Sequence, residues 1–276
     1  MSFAWRQGGL AVEGSSRAGD RSWFRISPPG IAFDVGRGAP ELAGISDIFI
    51  THGHLDHALG LPYVLSQHGV HGERAARVYC PAAIADDLRA FILAAMRLER
   101  VEYRFELVGL SPGERVRLNA DLAVEAFAVD HVVPALGYHL VRERRRLLPA
   151  LGGLPGPELA ARRARGETID ERYEELWLSY CGDTTLAAFD IEPRLCDSRV
   201  LLLECTFLDP AKRDSATRYK HVHAEDLPGL APRLRNETIL LTHLSRRHRP
   251  EELRRFIDEH APEIAARTVL LVDDPV

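Results

Sequence analysis

Read for its apolar and polar positions, the chain opens as a series of short strands. Leu10–Val12, Trp23–Ile26 and Ile31–Phe33 are apolar or alternating, the last two divided by a Pro28-Pro29-Gly30 turn. Ile48–Ile50 is a further apolar run, and Leu59–Gly69 predicts a helix. Arg77–Cys80 predicts a strand closed by Pro81, and Ile84–Arg97 has apolar residues near helical spacing. Glu102–Val108 and Arg115–Leu118 follow as strands. Leu122–Val129 alternates, and Tyr138–Arg142 returns with His139 expected to face outward. From 143 to 176 the rhythm breaks into Pro, Gly, Arg and then acid, which predicts an irregular surface loop with one helix. Regular structure resumes with strands at Leu176–Cys181, Val200–Leu203, Thr238–Thr242 and Val269–Val272. Helices are predicted at Ala224–Arg235 and Pro250–His260.

Strand after strand ends in one polar group: Asp34, His52, His131, Asp183, Glu204, His243. Strands rise about 3.3 Å per residue, so ends on one rim of a sheet converge. Both halves of the chain are strand-rich with helices between. The expectation is an α/β fold, an αββα sandwich of two packed β-sheets flanked by helices. It occupies 1–276 as a single domain with a shortened insert at about 143–176.

Composition narrows this little. The 276 residues are 46% hydrophobic and 27% charged, an ordinary globular balance. No apolar run approaches the roughly 20 residues of a membrane span, and no secretory signal pattern is visible. The four cysteines, Cys80, Cys181, Cys196 and Cys205, are scattered, which fits reduced thiols and predicts a cytoplasmic protein. The net charge of −5 does not advertise nucleic-acid binding. Locally, Arg142–Arg165 holds seven Arg against Glu143 and Glu158, or +5.

The chemistry concentrates in Asp47–Pro62, where Ile48-Phe49-Ile50 runs straight into Thr51-His52-Gly53-His54-Leu55-Asp56-His57. Three imidazoles and a carboxylate within six residues are poor core material. Both ligand types suit zinc and similar divalent ions. A short loop cannot wrap all four groups round one ion without strain, so two ions are the natural solution.

This loop, with Asp34, His131, Asp183 and His243 in that order, resembles the five-motif signature of the metallo-β-lactamase superfamily. The resemblance implies one metal at His52, His54 and His131 and a second at Asp56, His57 and His243. Asp183 would bridge them, and Asp34 would brace the ligand loop. An Asp rather than a Cys at the second metal favours hard-oxygen substrates, phosphodiesters above thioesters. The later motifs resemble ribonuclease Z. Leu203-Glu204-Cys205-Thr206-Phe207 is similar to that family's HEATF box, with Leu for His and Cys for Ala. His221-Val222-His223 stands where the family has HST. Leu241–His248 resembles LTHxSxRY, with His248 for the final Tyr.

What the resemblance implies is a tRNA 3′-processing endoribonuclease using two divalent ions, zinc first, with manganese or iron as alternatives. Asp56, Glu204 and His221 would be catalytic, His221 giving a proton to the leaving 3′-oxygen and His223 its alternative. Ser245 and Arg247 would hold phosphate oxygens. The family's long tRNA-gripping arm is reduced here to Glu143–Glu175, with Arg144–Arg146 and Arg162–Arg165 as candidate substitutes. A homodimer acting on a tRNA precursor, away from membranes, is expected. The competing expectation is a small-molecule phosphodiesterase acting on cyclic nucleotides. A third, a nucleic-acid-binding protein with a decayed site, conflicts with the complete ligand set.

Overall fold

In the computed structural model, which describes residues 3–71 and 74–272, each half of the chain builds one seven-stranded sheet. The first contains β1 (Phe3–Gln7), β2 (Leu10–Arg17), β3 (Arg21–Ser27), β4 (Ile31–Val35), β5 (Asp47–Phe49), β6 (Ala76–Pro81) and β7 (Phe105–Leu110), in that spatial order. The second contains β8 (Arg115–Arg117), β9 (Leu122–Ala128), β10 (Leu136–Leu147), β11 (Asp170–Tyr180), β12 (Val200–Glu204), β13 (Thr238–Thr242) and β14 (Thr268–Leu270), likewise in chain order across the sheet. In both, an antiparallel part adjoins a parallel part.

That mixed pattern positions the site. β4 and β5 are parallel, so their C-terminal ends share an edge. β11, β12 and β13 are parallel as well. β9 lies two antiparallel steps from β11 and therefore runs with it. The five strands that precede Asp183, Glu204, His243, His131 and the His52 loop thus end on matching rims.

Between the sheets lies an apolar layer that includes Leu10, Val12, Phe24, Ile26, Phe33, Leu140, Leu178, Leu202 and Leu240. Its aromatic centre stacks Phe33 on Tyr138 (5.8 Å between rings) and on Tyr180 (5.5 Å). Both phenols reach across to the first sheet: Tyr138 donates to the Ile50 carbonyl (2.7 Å) and Tyr180 to Asp34 (2.8 Å). Helices α1 (Leu55–Ala58), α2 (Leu61–His71) and α3 (Ala85–Glu99) belong to the first half. Leu61, Val64, Leu65, Leu88 and Ile92 of α2 and α3 form an outer core with the first sheet. The second half carries α4 (Gly156–Ala164), α5 (Ala188–Ile191), α6 (Arg213–Tyr219), α7 (Leu227–Leu230), α8 (Pro250–His260) and α9 (Pro262–Ala265). Apolar residues of α5, α7, α8 and α9 form the other outer layer. The predicted αββα sandwich is the observed architecture.

Several expectations need correction. Residues 143–176 are not an irregular loop: β10 and β11 continue as a paired hairpin to Leu147 and Asp170, with α4 at its tip. The Arg-rich side that looked unstructured pairs with acids across the strands, Arg146 with Glu171, Arg172 with Glu143 and Arg144 with Glu175. The helix expected over Ala224–Arg235 is one α-turn, α7, between two 3₁₀ turns. Pro228 and Pro232 each lack the amide a longer helix would need. β1 was not anticipated, and the strand expected at Glu102–Val108 runs from Phe105 to Leu110. His139 does not face outward: it is fully buried, stacked on Phe127 at 4.2 Å and hydrogen-bonded through Nδ1 to Ser179 (2.7 Å).

Candidate metal centre

Asp34 ends β4 in a left-handed conformation, φ +54°, which a non-glycine residue adopts only under constraint. The constraint is visible. Its carboxylate accepts from the Thr51 amide (2.7 Å), the Thr51 hydroxyl (2.9 Å), Tyr180 (2.8 Å) and His57 Nδ1 (2.8 Å). One buried carboxylate therefore fixes the strand-to-loop turn and leaves His57 Nε2 as the free ligand atom.

The remaining groups arrive from the second sheet. His131 follows β9, with Nδ1 3.3 Å from the Lys220 carbonyl. Asp183 follows Gly182, whose φ is +61° and whose Cα faces Thr51; a Cβ at 182 would lie 2.9 Å from that of Thr51. Glycine lets the two sheet edges close on each other here. His243, with φ +60°, follows β13, its amide donating to Ser16 (3.0 Å) and its Nδ1 lying 2.9 Å from Thr206 Oγ1. The buried Arg17 donates to the carbonyls of Ser245 (3.2 Å) and His248 (3.1 Å) and so clamps the loop after His243 from β2.

His52, His54, His131 and Asp183 bring ligand atoms within 4.8 Å of one another, and so do Asp56, His57 and His243. Donor atoms bound about 2.0–2.1 Å from a tetrahedral ion lie about 3.3–3.4 Å apart. Four spacings match: His54 Nδ1 to His131 Nε2 3.3 Å, His57 Nε2 to His243 Nε2 3.4 Å, His57 Nε2 to Asp183 Oδ1 3.3 Å, His243 Nε2 to Asp56 Oδ2 3.4 Å; His52 Nε2 to Asp183 Oδ2 (3.6 Å) and His57 Nε2 to Asp56 Oδ2 (3.9 Å) are wider. His52 Nε2 and Asp183 Oδ1 are buried without a hydrogen-bond partner, a costly arrangement that a cation resolves. The donor set fits divalent metal.

Burial, and then neighbouring imidazoles, hold His52 below the ordinary histidine value, and burial likewise lowers His54 and His131. Neutral rings are the form that ligates. Burial opposes charge on His57, yet Asp183 and Asp34 raise it, demanding there a positive charge that an ion at Nε2 would supply. Burial also opposes ionisation of Asp56, but His243 and His57 hold its carboxyl below the usual carboxylate range.

Glu204 and His221 stand beside this cluster. Glu204 is buried, accepting from the Thr184 amide (3.0 Å) and the Thr206 hydroxyl (2.6 Å), and His221 Nδ1 lies 2.7 Å from its Oε1. Burial pulls His221 down, but the Glu204 carboxylate outweighs it and pushes the imidazole up to about 9. His223 points elsewhere, with Nε2 3.1 Å from the Asp209 carbonyl and Nδ1 accepting from the Glu225 amide. Asp56, Asp183, His221 and His243 line a cleft of 260 Å³ with Ser245 and Arg247 on its wall.

Apart from His223, the residues singled out in the sequence for the centre meet on one rim. Reasoning from sequence missed Thr51, Thr206, Tyr180 and Arg17, which hold them. Thr51 and Thr206 adjoin motif residues, a signal of sorts. Tyr180 and Arg17 act across the sheets, and nothing local marks them.

A family model described as Beta-lactamase superfamily domain matches residues 34–244. The chain is 30% identical to tRNase Z TRZ1 of Arabidopsis thaliana over 95% of each protein. It is also 30% identical to the ribonuclease Z of Thermobifida fusca, over 95% of this chain and 90% of that one. Among solved structures, the human short-form tRNase Z superposes with a TM-score of 0.59 at 21% identity, covering 98% of this chain and 92% of the other.

Proposed function

The chain belongs to the beta-lactamase superfamily and, within it, to the ribonuclease Z family, and from that premise we propose that it is a two-metal phosphodiesterase that cleaves tRNA precursors at their 3′ end. The observation that carries this is the Glu204–His221 pair set against two ligand clusters that share one carboxylate neighbourhood at Asp183.

His52, His54 and His131 would hold one ion and Asp56, His57 and His243 the other. Asp183 would serve both, because a carboxylate can offer one oxygen to each: Oδ2 faces His52 and Oδ1 faces His57. Zinc suits the mixed imidazole and carboxylate set, and manganese or iron would use the same donors. When bound, such a pair supplies a nucleophile at neutral pH and charge to offset that of the phosphoryl oxygens.

The chain's own residues do the rest. Asp56, ionised and on the cleft wall, is placed to orient the attacking water. Ser245 and Arg247 face the non-bridging phosphate oxygens, Arg247 as a forked donor. His221, held as imidazolium by Glu204, gives its proton to the departing 3′-oxygen. Thr206 links the two functions, donating to Glu204 while accepting from His243 Nδ1.

Gripping the RNA is a separate problem. The Arg142–Glu175 hairpin holds eight Arg and seven Asp or Glu, a balance of +1. Its length supports contact with RNA more than its charge does. We further propose a cytoplasmic homodimer in which this hairpin serves the partner's substrate.

The test is incubation of metal-analysed protein with a 3′-extended tRNA precursor and, in parallel, with 3′,5′-cyclic AMP. Cleavage of the precursor is expected, and Asp183→Ala should lose both bound metal and hydrolysis. Turnover of the cyclic nucleotide with intact RNA would replace this reading with a small-molecule phosphodiesterase.

A further inference from the structure

The centre opens in two directions. The cleft described above contains His221, with Tyr219 and Phe207 on its walls. A second cleft of 450 Å³ also reaches His54 and Asp56 but does not touch His221. It is lined by Leu55 and Leu59, which are 64% and 41% exposed, and by Arg37 and Arg246. The volume lies within the range of small-ligand sites, roughly 300–1,000 Å³.

Charge distinguishes this cleft from the hairpin. On the hairpin, Arg144, Arg145, Arg146, Arg162, Arg163, Arg165 and Arg172 each face a carboxylate. In the cleft, Asp20 is engaged by Arg21 and by Arg37 (2.9 Å), and Asp56 belongs to the metal ligands. Among the described residues, the exposed Arg246 side chain has no carboxylate partner. An uncompensated guanidinium beside exposed leucines offers one group for phosphate and an apolar surface for a base.

We propose that this second cleft is the subsite for the RNA downstream of the cut, with Arg246 holding a trailer phosphate and Leu55 and Leu59 packing against a nucleobase. The inference rests on the reading of function above and follows from the direction of proton transfer. Water oxygen bonds to phosphorus, losing a proton to solvent, as the bond from phosphorus to the 3′-oxygen breaks, and the 3′-oxygen takes the His221 proton. The nucleoside that leaves with a 3′-hydroxyl must occupy the cleft that contains His221. The phosphate stays on the 5′ end of the released fragment, which therefore leaves through the cleft that lacks it.

The experiment uses the zinc-loaded protein, full chain, in two arms. In the first, fluorescence anisotropy measures binding of labelled 5′-phosphorylated oligoribonucleotides of one and of eight nucleotides. Arg246→Glu should weaken binding of the eight-nucleotide form about tenfold and leave the one-nucleotide form within about twofold, and Arg246→Lys should restore most of the loss. In the second, KM is compared for precursors with a one-nucleotide and an eight-nucleotide trailer. Arg246→Glu should raise KM for the long trailer and leave the short one within about twofold. Unchanged oligonucleotide binding, or an equal KM change for both trailers, overturns the proposal. A wild-type protein that cleaves no precursor would refute the functional reading instead, and the binding arm would still decide the subsite.

Discussion

Burial lowers His52, His54 and His131, whereas His221, also largely enclosed, is pushed up to about 9 because its Nδ1 meets the Glu204 carboxylate. The same ring type would thus serve two tasks a few ångströms apart under the proposed mechanism, neutral ligand and cationic acid, and its partner decides which. A general acid works only while protonated, so kcat should fall as pH rises through the His221 value, which bound dications would lower from about 9. His221→Ala should keep its metal content, lose kcat by about 10²–10⁴-fold and lose that alkaline limb. Metal analysis and a pH–rate profile check this. Because His221 also lies within ligand distance of Asp183 and His243, loss of an ion in the variant would make it a ligand instead.

At the scale of elements, the second sheet carries an ionic network near its buried His139. Glu192 lies 3.8 Å from His139 Nε2 and pairs with Arg194, which also binds Glu125; Glu125 in turn pairs with Arg115. Burial opposes ionisation of Glu192 and Glu125, but His139 and Arg194 for the first, and Arg194 and Arg115 for the second, hold both below the usual carboxylate range. A carboxylate depressed in the fold stabilises it above its unfolded pKa, about 4.3, and loses that contribution as pH falls. Arg194→Ala should therefore lower Tm by a few degrees at pH 7, with the gap to wild type closing below about pH 4. A gap that does not change with pH would refute this. The elements also divide by legibility. β4, β5, β12 and β13 could be read from sequence because they are almost wholly buried and run into a polar group at or just past their ends. The outer part of the β10–β11 hairpin could not, since Arg against Glu across strands looks locally like a solvated loop. The candidate ligands themselves were legible as a dense local motif and as strand ends. Their supports were not: Tyr180 and Asp34 are 146 residues apart, and Arg17 holds a carbonyl 228 residues away.

The whole molecule is two sheets joined by an aromatic and aliphatic core and by a rim of groups that could hold metal. Phe24, Phe33, Phe49, Tyr138 and Tyr180 pack between the sheets, and Tyr138 and Tyr180 bond across them. At the rim the ligands are divided: His52, His54, Asp56 and His57 come from the first half, and His131, Asp183 and His243 from the second. Each ion would thus tie the sheets together. Binding to the folded state alone stabilises it by about 4 kcal/mol when free metal is about 1,000 times Kd. For a chain of this size, about 1 kcal/mol moves Tm by about 2–4 °C. Chelation should therefore lower Tm by about 10 °C while leaving far-UV circular dichroism at 25 °C intact, because the aromatic core persists. Asp183→Ala should show little further shift on chelation. Calorimetry with and without chelator decides it. Loss of secondary structure on metal removal would mean that the rim, not the aromatic layer, holds the sheets together, and an unchanged Tm would mean that ions do not bridge them.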